Sequence, residues 1–202
     1  MKIYLIRHGT TDYGEKAYTT GHKDIPLNER GKDQARATAE FLKDKGISKI
    51  FSSSLSRARE TAEIIALKLD LPVEEFDELM ERTAGMLDGV PFTEFFATFK
   101  KIGDFEQMML QAGGEPSEIF KERVWNKFLG IIQNNYDHEN LLIVAHGGVT
   151  RSILLEILES NLGAGISQGN CCINIIDYDK EREDGFLFLI NLVNYTDHIE
   201  KL

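Results

Sequence analysis

The chain has 202 residues, of which 42% are hydrophobic, so it is long enough to bury a full core. Its formal net charge of −10, from 33 acidic and 23 basic residues, argues against a general surface for nucleic acid or for an anionic membrane. No apolar run approaches the roughly 20 residues that span a bilayer, and the N-terminus predicts a strand rather than a signal segment, so we expect a cytoplasmic protein.

The first half of the chain alternates between predicted strands and helices. Residues 2–6 predict a short apolar strand, and residues 28–44 predict a helix that stops at Gly46. A polar loop that contains several glycines separates these two elements. Residues 49–52 predict a second strand, and the helix after it has apolar residues at helical spacing and Ser54 as its predicted N-cap.

The second half begins with a segment of weaker periodicity, in which only one short helix is predicted, near residues 93–101. We interpret residues 82–115 as an insertion within a single domain that spans residues 1–202. Ser117 is predicted to cap a long helix, and the apolar run LLIVA that follows this helix is typical of a strand covered on both sides. A further helix near residues 149–159 and two strand-like runs at 171–178 and 186–193 complete the chain.

Strands that alternate with helices indicate right-handed crossover connections and a mainly parallel sheet. We therefore predict the α/β class, as a three-layer α/β/α fold with helices on both faces of the sheet. The insertion is expected to lie over the site at the strand ends. The last two strand-like runs are compatible with an antiparallel edge of the sheet at the C-terminus.

Histidines and arginines follow three of the predicted strands. The first strand ends at Arg7 and His8, the second is followed by Arg57, and LLIVA leads directly to His146. Each histidine precedes a glycine, in the sequences RHG and HGG. Because ligands of open parallel sheets bind at the carboxyl ends of the strands, these side chains are expected to share one crevice if their strands are neighbours.

A metal and an anion are the two alternatives for this crevice. Histidine is a common metal ligand, but Arg7 and Arg57 would place permanent positive charge beside a cation, and neither an HExxH nor an HxH pattern supplies paired ligands. Guanidinium groups and helix N-termini favour a phosphate instead. We therefore expect an anion site without a metal.

A histidine in a phosphate pocket can donate a hydrogen bond or attack phosphorus. Nucleophilic attack needs a general acid that protonates the leaving alcohol. The tract DELMERTAGMLDG supplies Glu78, Glu81 and Asp88 as candidates for this acid, and their spacing alone does not choose among them.

Six blocks of this chain, in the same order, resemble the histidine phosphatase superfamily, whose founding branch is the cofactor-dependent phosphoglycerate mutases. The blocks are LIRHGTT, TGHKDIPLNERG, SSSLSRARETA, MERTAGMLDG, GGEPSEIFKERV and LLIVAHGGVTR. The resemblance implies that His8 is the nucleophile, that Arg7, Arg57 and His146 hold the phosphoryl oxygens, and that Glu81 is the general acid. It also implies that no metal or organic cofactor is required, and that four further residues line the pocket: Thr11, Thr20, Gly21 and Gly147.

Several positions depart from the pattern of relatives. Gly14 stands where many relatives have an asparagine, Ala84 replaces a tyrosine of the mutases, and HGG replaces their HGN. The insertion is also short for a mutase, which needs a lid to exclude water.

The departures from the mutase pattern favour a phosphomonoesterase that hydrolyses a small phosphorylated metabolite through a phosphohistidine on His8. The alternatives are a phosphoglycerate mutase-type phosphotransferase and a non-catalytic phosphate-binding regulatory protein. The substrate class stays open among sugar phosphates, nucleoside-type phosphates such as α-ribazole phosphate, and phosphoglycerate. The sequence predicts no nucleic-acid or membrane partner, and it does not indicate an oligomeric state.

Overall fold

The structure is a computed structural model that describes residues 1–137, 140–159, 165–181 and 187–200. Strands and helices alternate along most of these residues, as the sequence predicts. The strands are β1 (Lys2–Arg7), β2 (Ile47–Ser53), β3 (Val73–Phe76), β4 (Asn140–Ala145), β5 (Ile173–Tyr178) and β6 (Phe188–Tyr195). The helices are α1 (Asp12–Glu15), α2 (Glu29–Leu42), α3 (Ser56–Leu69), α4 (Phe92–Ile102), α5 (Phe105–Gln111), α6 (Ser117–Asn134) and α7 (Gly147–Ile157).

The strands form one sheet in the order β3-β2-β4-β1-β5-β6. β1, β2, β3 and β4 run parallel, whereas β5 pairs antiparallel with both β1 and β6. The predicted parallel sheet with an antiparallel edge near the C-terminus is therefore confirmed. Because β1 and β4 are immediate neighbours, the two sequences RHG and HGG lie side by side at the same edge of the sheet.

Alternate residues of the central strands face opposite helical layers. In β1, Ile3 and Leu5 pack in a cluster with α6 and α7, whereas Tyr4 and Ile6 pack in a cluster with α2 and α3. This alternation follows from the two-residue repeat of a strand, and it buries an apolar stripe from each of these four helices. The predicted three-layer α/β/α fold is confirmed.

The predicted helix caps at Ser54 and Ser117 are wrong. The N-cap of α3 is Leu55, which makes no side-chain capping bond, and Asp24 from the preceding loop instead accepts hydrogen bonds from the backbone N–H and hydroxyl of Ser56, both at 2.7 Å. Ser117 is the first residue of α6, and its N–H donates to Glu106. In both cases a carboxylate distant in sequence replaces the local serine.

The segment predicted as an insertion carries α4, which the sequence predicts, and α5, which it does not. These helices enclose a small apolar cluster in which Met108 and Met109 are buried and Phe95 and Phe99 are partly buried. The four-residue strand β3 was also missed, because its residues Glu74 and Glu75 are exposed at the edge of the sheet. The predicted start of the last strand-like run, at residue 186, lies outside the described residues. In the described part of the chain, no helix is long and apolar enough to cross a membrane.

Candidate active site

Two histidines meet at the carboxyl edge of the sheet. His8 continues the β1–β4 ladder by donating its backbone N–H to the carbonyl of Ala145 at 2.9 Å, and His146 follows Ala145 directly as the N-cap of α7. The two imidazole rings stand 5.2 Å apart at an interplanar angle of 61°. The structure thus brings together the two histidines that the sequence places at the ends of two strands.

His8 is 5% exposed and is held as a defined neutral tautomer. Its Nδ1 lies 2.7 Å from the carbonyl oxygen of Gly9, and because a carbonyl oxygen only accepts, we assign the ring proton to Nδ1. Burial lowers the pKa of His8 well below its ordinary value of 6.5, and the charges of Arg57 and Arg7 lower it further. The Nε2 atom therefore keeps its lone pair at neutral pH.

Arg57 enters the same crevice from the first turn of α3 and is completely buried. Its Nη1 and Nη2 atoms donate to the carbonyl oxygens of Lys23 and Gly21 at 2.9 and 2.8 Å, while Nε has no partner in the described part of the chain. Burial lowers the pKa of Arg57 to about 10, so the side chain stays charged at neutral pH. A buried cation held only by carbonyl oxygens leaves charge available for an anion.

Gly21 can bring its carbonyl oxygen to Arg57 because it lacks a side chain. Its φ of +46° is in the left-handed region, and a Cβ atom would lie 1.7 Å from a carboxylate oxygen of Asp88. Asp88 fixes the opposite side of the same loop, where its oxygens accept hydrogen bonds from the N–H of His22 at 3.0 Å and the hydroxyl of Thr83 at 2.6 Å. The loop that holds Arg57 is thereby tied to the segment after Glu81.

Arg7 ends β1 beside the first turn of α7. Its Nη1 donates to the carbonyl oxygen of Gln168 at 2.5 Å, whereas its buried Nε has no partner among the described residues. Burial lowers the pKa of Arg7 below its ordinary value, and the charge of Glu81 opposes that shift. A Cβ atom on Gly147 would lie 3.6 Å from the Arg7 side chain, so the predicted pocket residue Gly147 does border Arg7.

His146 is completely buried and hydrogen-bonds through one ring nitrogen only. Its Nε2 lies 2.8 Å from the hydroxyl oxygen of Ser53, and its Nδ1 has no partner in the described part of the chain. Burial lowers the pKa of His146 well below 6.5, and the charge of Arg57 lowers it further. The crevice therefore contains two neutral histidines and two arginines.

Of the three candidate acids, Glu81 alone lies at the N-terminus of α7. Its Oε2 accepts the backbone N–H of Gly148 at 2.9 Å, and its Oε1 accepts the N–H of Arg82 at 2.9 Å. A Cβ atom on Gly148 would lie 2.1 Å from Oε1, so the second glycine of HGG is what lets the carboxyl group approach. Glu78 instead pairs with Lys127 at 3.0 Å, and the carboxylate of Asp88 is used to hold its own loop.

The block GGEPSEIFKERV anchors the segment that carries Glu81. Arg123 donates Nη1–H to the carbonyl oxygen of Met80 at 3.1 Å, and its Nη2 pairs with the carboxylate of Glu115 at 2.7 Å. Arg82 donates Nε–H to the carbonyl oxygen of Glu115 at 2.7 Å. The backbone on both sides of Glu81 is thus fixed by partners more than 30 residues later in the chain.

The remaining predicted pocket residues, Thr11 and Thr20, do not hydrogen-bond to the histidines or arginines within the described residues. The buried hydroxyl of Thr11 accepts the N–H of Gly14 at 3.1 Å and caps α1, and the carbonyl of Thr20 accepts the N–H of Lys23 at 2.8 Å. Both residues belong to the polar loop between β1 and α2, which also contains Gly21. Their predicted contact with a ligand stays a prediction.

Four residues at the site were missed by sequence reasoning: Ser53, Asp88 as a loop anchor, Gly148 and Gln168. Ser53 and Gly148 lie within the blocks SSSLSRARETA and LLIVAHGGVTR, but nothing in the sequence shows which residue each one contacts. Gln168 offers only its backbone carbonyl to Arg7, so its residue type carried no signal. These contacts depend on how distant segments meet.

The two neutral histidines predict a pH-dependent stability in phosphate-free buffer. The unfolded chain protonates them near pH 6.5, whereas the folded chain keeps them neutral to lower pH. The unfolded state therefore binds more protons below pH 6.5. As the pH is lowered below this value, the free energy of unfolding should fall by up to about 1.4 kcal/mol per pH unit for each histidine. Urea unfolding at pH 7.5, 6.5 and 5.5 measures this slope. This slope should be smaller by a comparable amount in His8→Asn and in His146→Asn. Slopes equal to that of the unsubstituted protein would contradict the assignment of both histidines as neutral in the folded chain.

The site as a whole suits an anion with several oxygen atoms. Two arginines and the N-terminus of α7 supply positive charge, and a donor on each arginine that has no partner among the described residues lies buried beside a histidine with a free lone pair. The fold and this crevice define an α/β protein with a candidate phosphoryl-binding active site. The family comparison agrees, since the model of the histidine phosphatase superfamily (branch 1) matches residues 3–188, and the chain belongs to that superfamily.

Individual relatives resemble the chain over most of its length. A Bacillus subtilis protein named "uncharacterized phosphatase PhoE" is 34% identical over 181 residues, which cover 89% of this chain and 90% of the relative. A broad-specificity phosphatase of Saccharomyces cerevisiae is 29% identical over 213 residues, which cover 98% of this chain and 87% of the relative. Among solved structures, Bacillus stearothermophilus YhfR has a TM-score of 0.86 at 24% identity, covers 98% of this chain and 99% of its own, and shares its fold.

Proposed function

We propose that the protein is a phosphomonoesterase that hydrolyses a small phosphorylated metabolite through a phosphohistidine on His8. The observation that carries this proposal is the arrangement of His8: the carbonyl of Gly9 takes the Nδ1–H, and a lone pair is left on Nε2 beside Arg7 and Arg57. A neutral imidazole with a free lone pair is a competent nucleophile, and the arginines favour a phosphoryl group at the same place. The names of the Bacillus subtilis and yeast relatives support a phosphatase.

In the first transfer, the Nε2 lone pair of His8 attacks phosphorus and the bond from phosphorus to the ester oxygen breaks. Glu81 enters this step as a carboxylic acid and gives its proton to the departing oxygen, which leaves as an alcohol. Arg7, Arg57 and the Nδ1 side of His146 bind the phosphoryl oxygens, where negative charge is shared in the transition state. The product is phosphohistidine with Glu81 as a carboxylate.

In the second transfer, the Glu81 carboxylate takes a proton from a water molecule and the water oxygen attacks phosphorus. The bond between phosphorus and Nε2 breaks, and its electron pair returns to His8. Inorganic phosphate leaves, and Glu81 is again an acid. Thr11, Thr20, Gly21 and Gly147 are proposed to line the pocket around the phosphoryl group.

The identity of the products tests this proposal. We expect the purified protein to release inorganic phosphate from p-nitrophenyl phosphate and from members of a panel of sugar phosphates, α-ribazole phosphate and 3-phosphoglycerate. Conversion of 3-phosphoglycerate with a bisphosphoglycerate primer to 2-phosphoglycerate, without free phosphate, would instead identify a mutase. Binding of inorganic phosphate without turnover of any ester would identify a non-catalytic phosphate-binding protein.

A further inference from the structure

Ser53 makes a buried contact that the two-step mechanism does not use. It is the last residue of β2, it is completely buried, and its hydroxyl oxygen lies 2.8 Å from Nε2 of His146. The same oxygen accepts the backbone N–H of Leu55 at 3.3 Å. Among the described residues, His146 Nε2 is the one acceptor within reach of the Ser53 hydroxyl proton, and a buried hydroxyl without an acceptor is costly. The Ser53 O–H therefore donates to Nε2.

This direction of donation decides where His146 carries its own proton. The ring is buried and lies near Arg57 and Arg7, both of which disfavour a second proton on it. A neutral imidazole whose Nε2 accepts a hydrogen bond carries its proton on Nδ1. That Nδ1 is buried and unpartnered within the described part of the chain, on a ring 5.2 Å from that of His8.

We propose that Ser53 is a positioning residue that sets the tautomer of His146, so that its Nδ1–H is presented as a donor to the phosphoryl group. The inference rests on the proposed function, because it assigns the donor to a group transferred to His8. The opposite tautomer would turn the Nδ1 lone pair toward an anion and repel it. Gly9 and Ser53 thus give two neutral histidines opposite roles: the Gly9 carbonyl leaves His8 with a lone pair, and the Ser53 hydroxyl leaves His146 with a donor.

The tautomer can be read directly by long-range nitrogen–proton correlation spectra of protein labelled with ¹⁵N-histidine, at neutral pH and without substrate. His146→Asn assigns the signals of His146 by their loss. We expect a protonated Nδ1 in the unsubstituted protein, and a shift of the population toward a protonated Nε2 in Ser53→Ala. A protonated Nε2 in the unsubstituted protein, or an unchanged His146 signal in Ser53→Ala, would overturn the inference.

Inhibition by inorganic phosphate gives the functional readout. The inhibition constant should rise about tenfold in Ser53→Ala, which is the value of about one net hydrogen bond, and kcat for p-nitrophenyl phosphate should fall by a similar factor. Ser53→Thr keeps the hydroxyl and should restore both. The matched control is Ser52→Ala, because Ser52 is equally buried but bonds to the backbone carbonyl of Ser53. If Ser52→Ala weakened phosphate inhibition and lowered kcat as much as Ser53→Ala, the effect would come from packing and the role of Ser53 would be overturned.

The two proposals at this site fail separately. Turnover that survives His8→Ala would overturn the proposed function but leave the tautomer assignment standing. A His146 ring that carries its proton on Nε2 would overturn the role of Ser53 and leave the nucleophile untouched.

Discussion

Replacement of His8 by alanine is expected to lower the turnover of phosphate monoesters by about 10³-fold or more, because the nucleophile acts in both transfers. The Nε2 atom of His8 is the one that would form the bond to phosphorus, and His146, the other neutral histidine at this edge, is proposed to donate rather than attack. Brief incubation of the unsubstituted protein with ³²P-labelled ester, followed by denaturation, should trap a label that is stable to base and lost in acid. His8→Ala should show no such label.

The control for this experiment is phosphate binding by the same variant. Arg7 and Arg57 are held by the carbonyl oxygens of Gln168, Lys23 and Gly21, and none of these contacts involves the His8 side chain. The variant should therefore still bind inorganic phosphate and show a rise in melting temperature with phosphate concentration. Turnover within tenfold of the unsubstituted protein, with the fold and phosphate binding intact, would rule out a phosphohistidine on His8.

The sequence predicts the fold and the centre of this site well, because both depend on short-range patterns. The alternation of strands and helices indicates a parallel sheet, and parallel strands bring their carboxyl ends to one edge. For that reason RHG and HGG are expected to share one crevice if their strands are neighbours, and the β1–β4 pairing meets that condition. On charge alone, the arginines then favour an anion over a metal at this edge.

The residue pattern alone could not select Glu81 among the three candidate acids. Its position depends on Gly148, which lets the carboxyl group reach the N-terminus of α7, and on Arg123, which holds the backbone beside it. Neither partner is near Glu81 in the sequence, and no periodicity links them. The wrong cap at Ser54 has the same origin, because Asp24 reaches α3 across a loop and replaces the local serine.

Gly14 is a position where the sequence departs from the pattern of relatives, and the structure shows how much space a larger residue would have there. It lies in α1, and a Cβ atom there would meet only the Thr11 hydroxyl oxygen, at 3.4 Å. The Cβ atom of the asparagine that many relatives have here would therefore fit without displacing the backbone. The glycine is not required by the local packing, so its presence is not explained by the fold.

Glu81→Gln is expected to separate esters by their leaving groups. The amide keeps the size of the side chain but has no acidic proton, so turnover of an alkyl phosphate such as glycerol 2-phosphate should fall by about 10²- to 10⁴-fold. The bond from phosphorus to the oxygen of p-nitrophenol breaks without protonation, so the first transfer from p-nitrophenyl phosphate should be much less affected. Rapid-mixing measurement of the first turnover isolates that step, because Glu81 is also proposed to activate water in the second transfer.

The matched control is Glu78→Gln, since Glu78 lies in the same tract but pairs with Lys127 and not with the N-terminus of α7. This variant should keep the ratio of the two first-turnover rates. Gly148→Ala should have the same effect, because its Cβ atom would occupy the position of the Glu81 carboxyl group. Its control is Gly130→Ala, because a Cβ atom at that helical position meets nothing within 4 Å. Equal losses for alkyl and aryl esters in Glu81→Gln would mean that Glu81 holds the phosphoryl group or the helix end and does not transfer a proton to the leaving group.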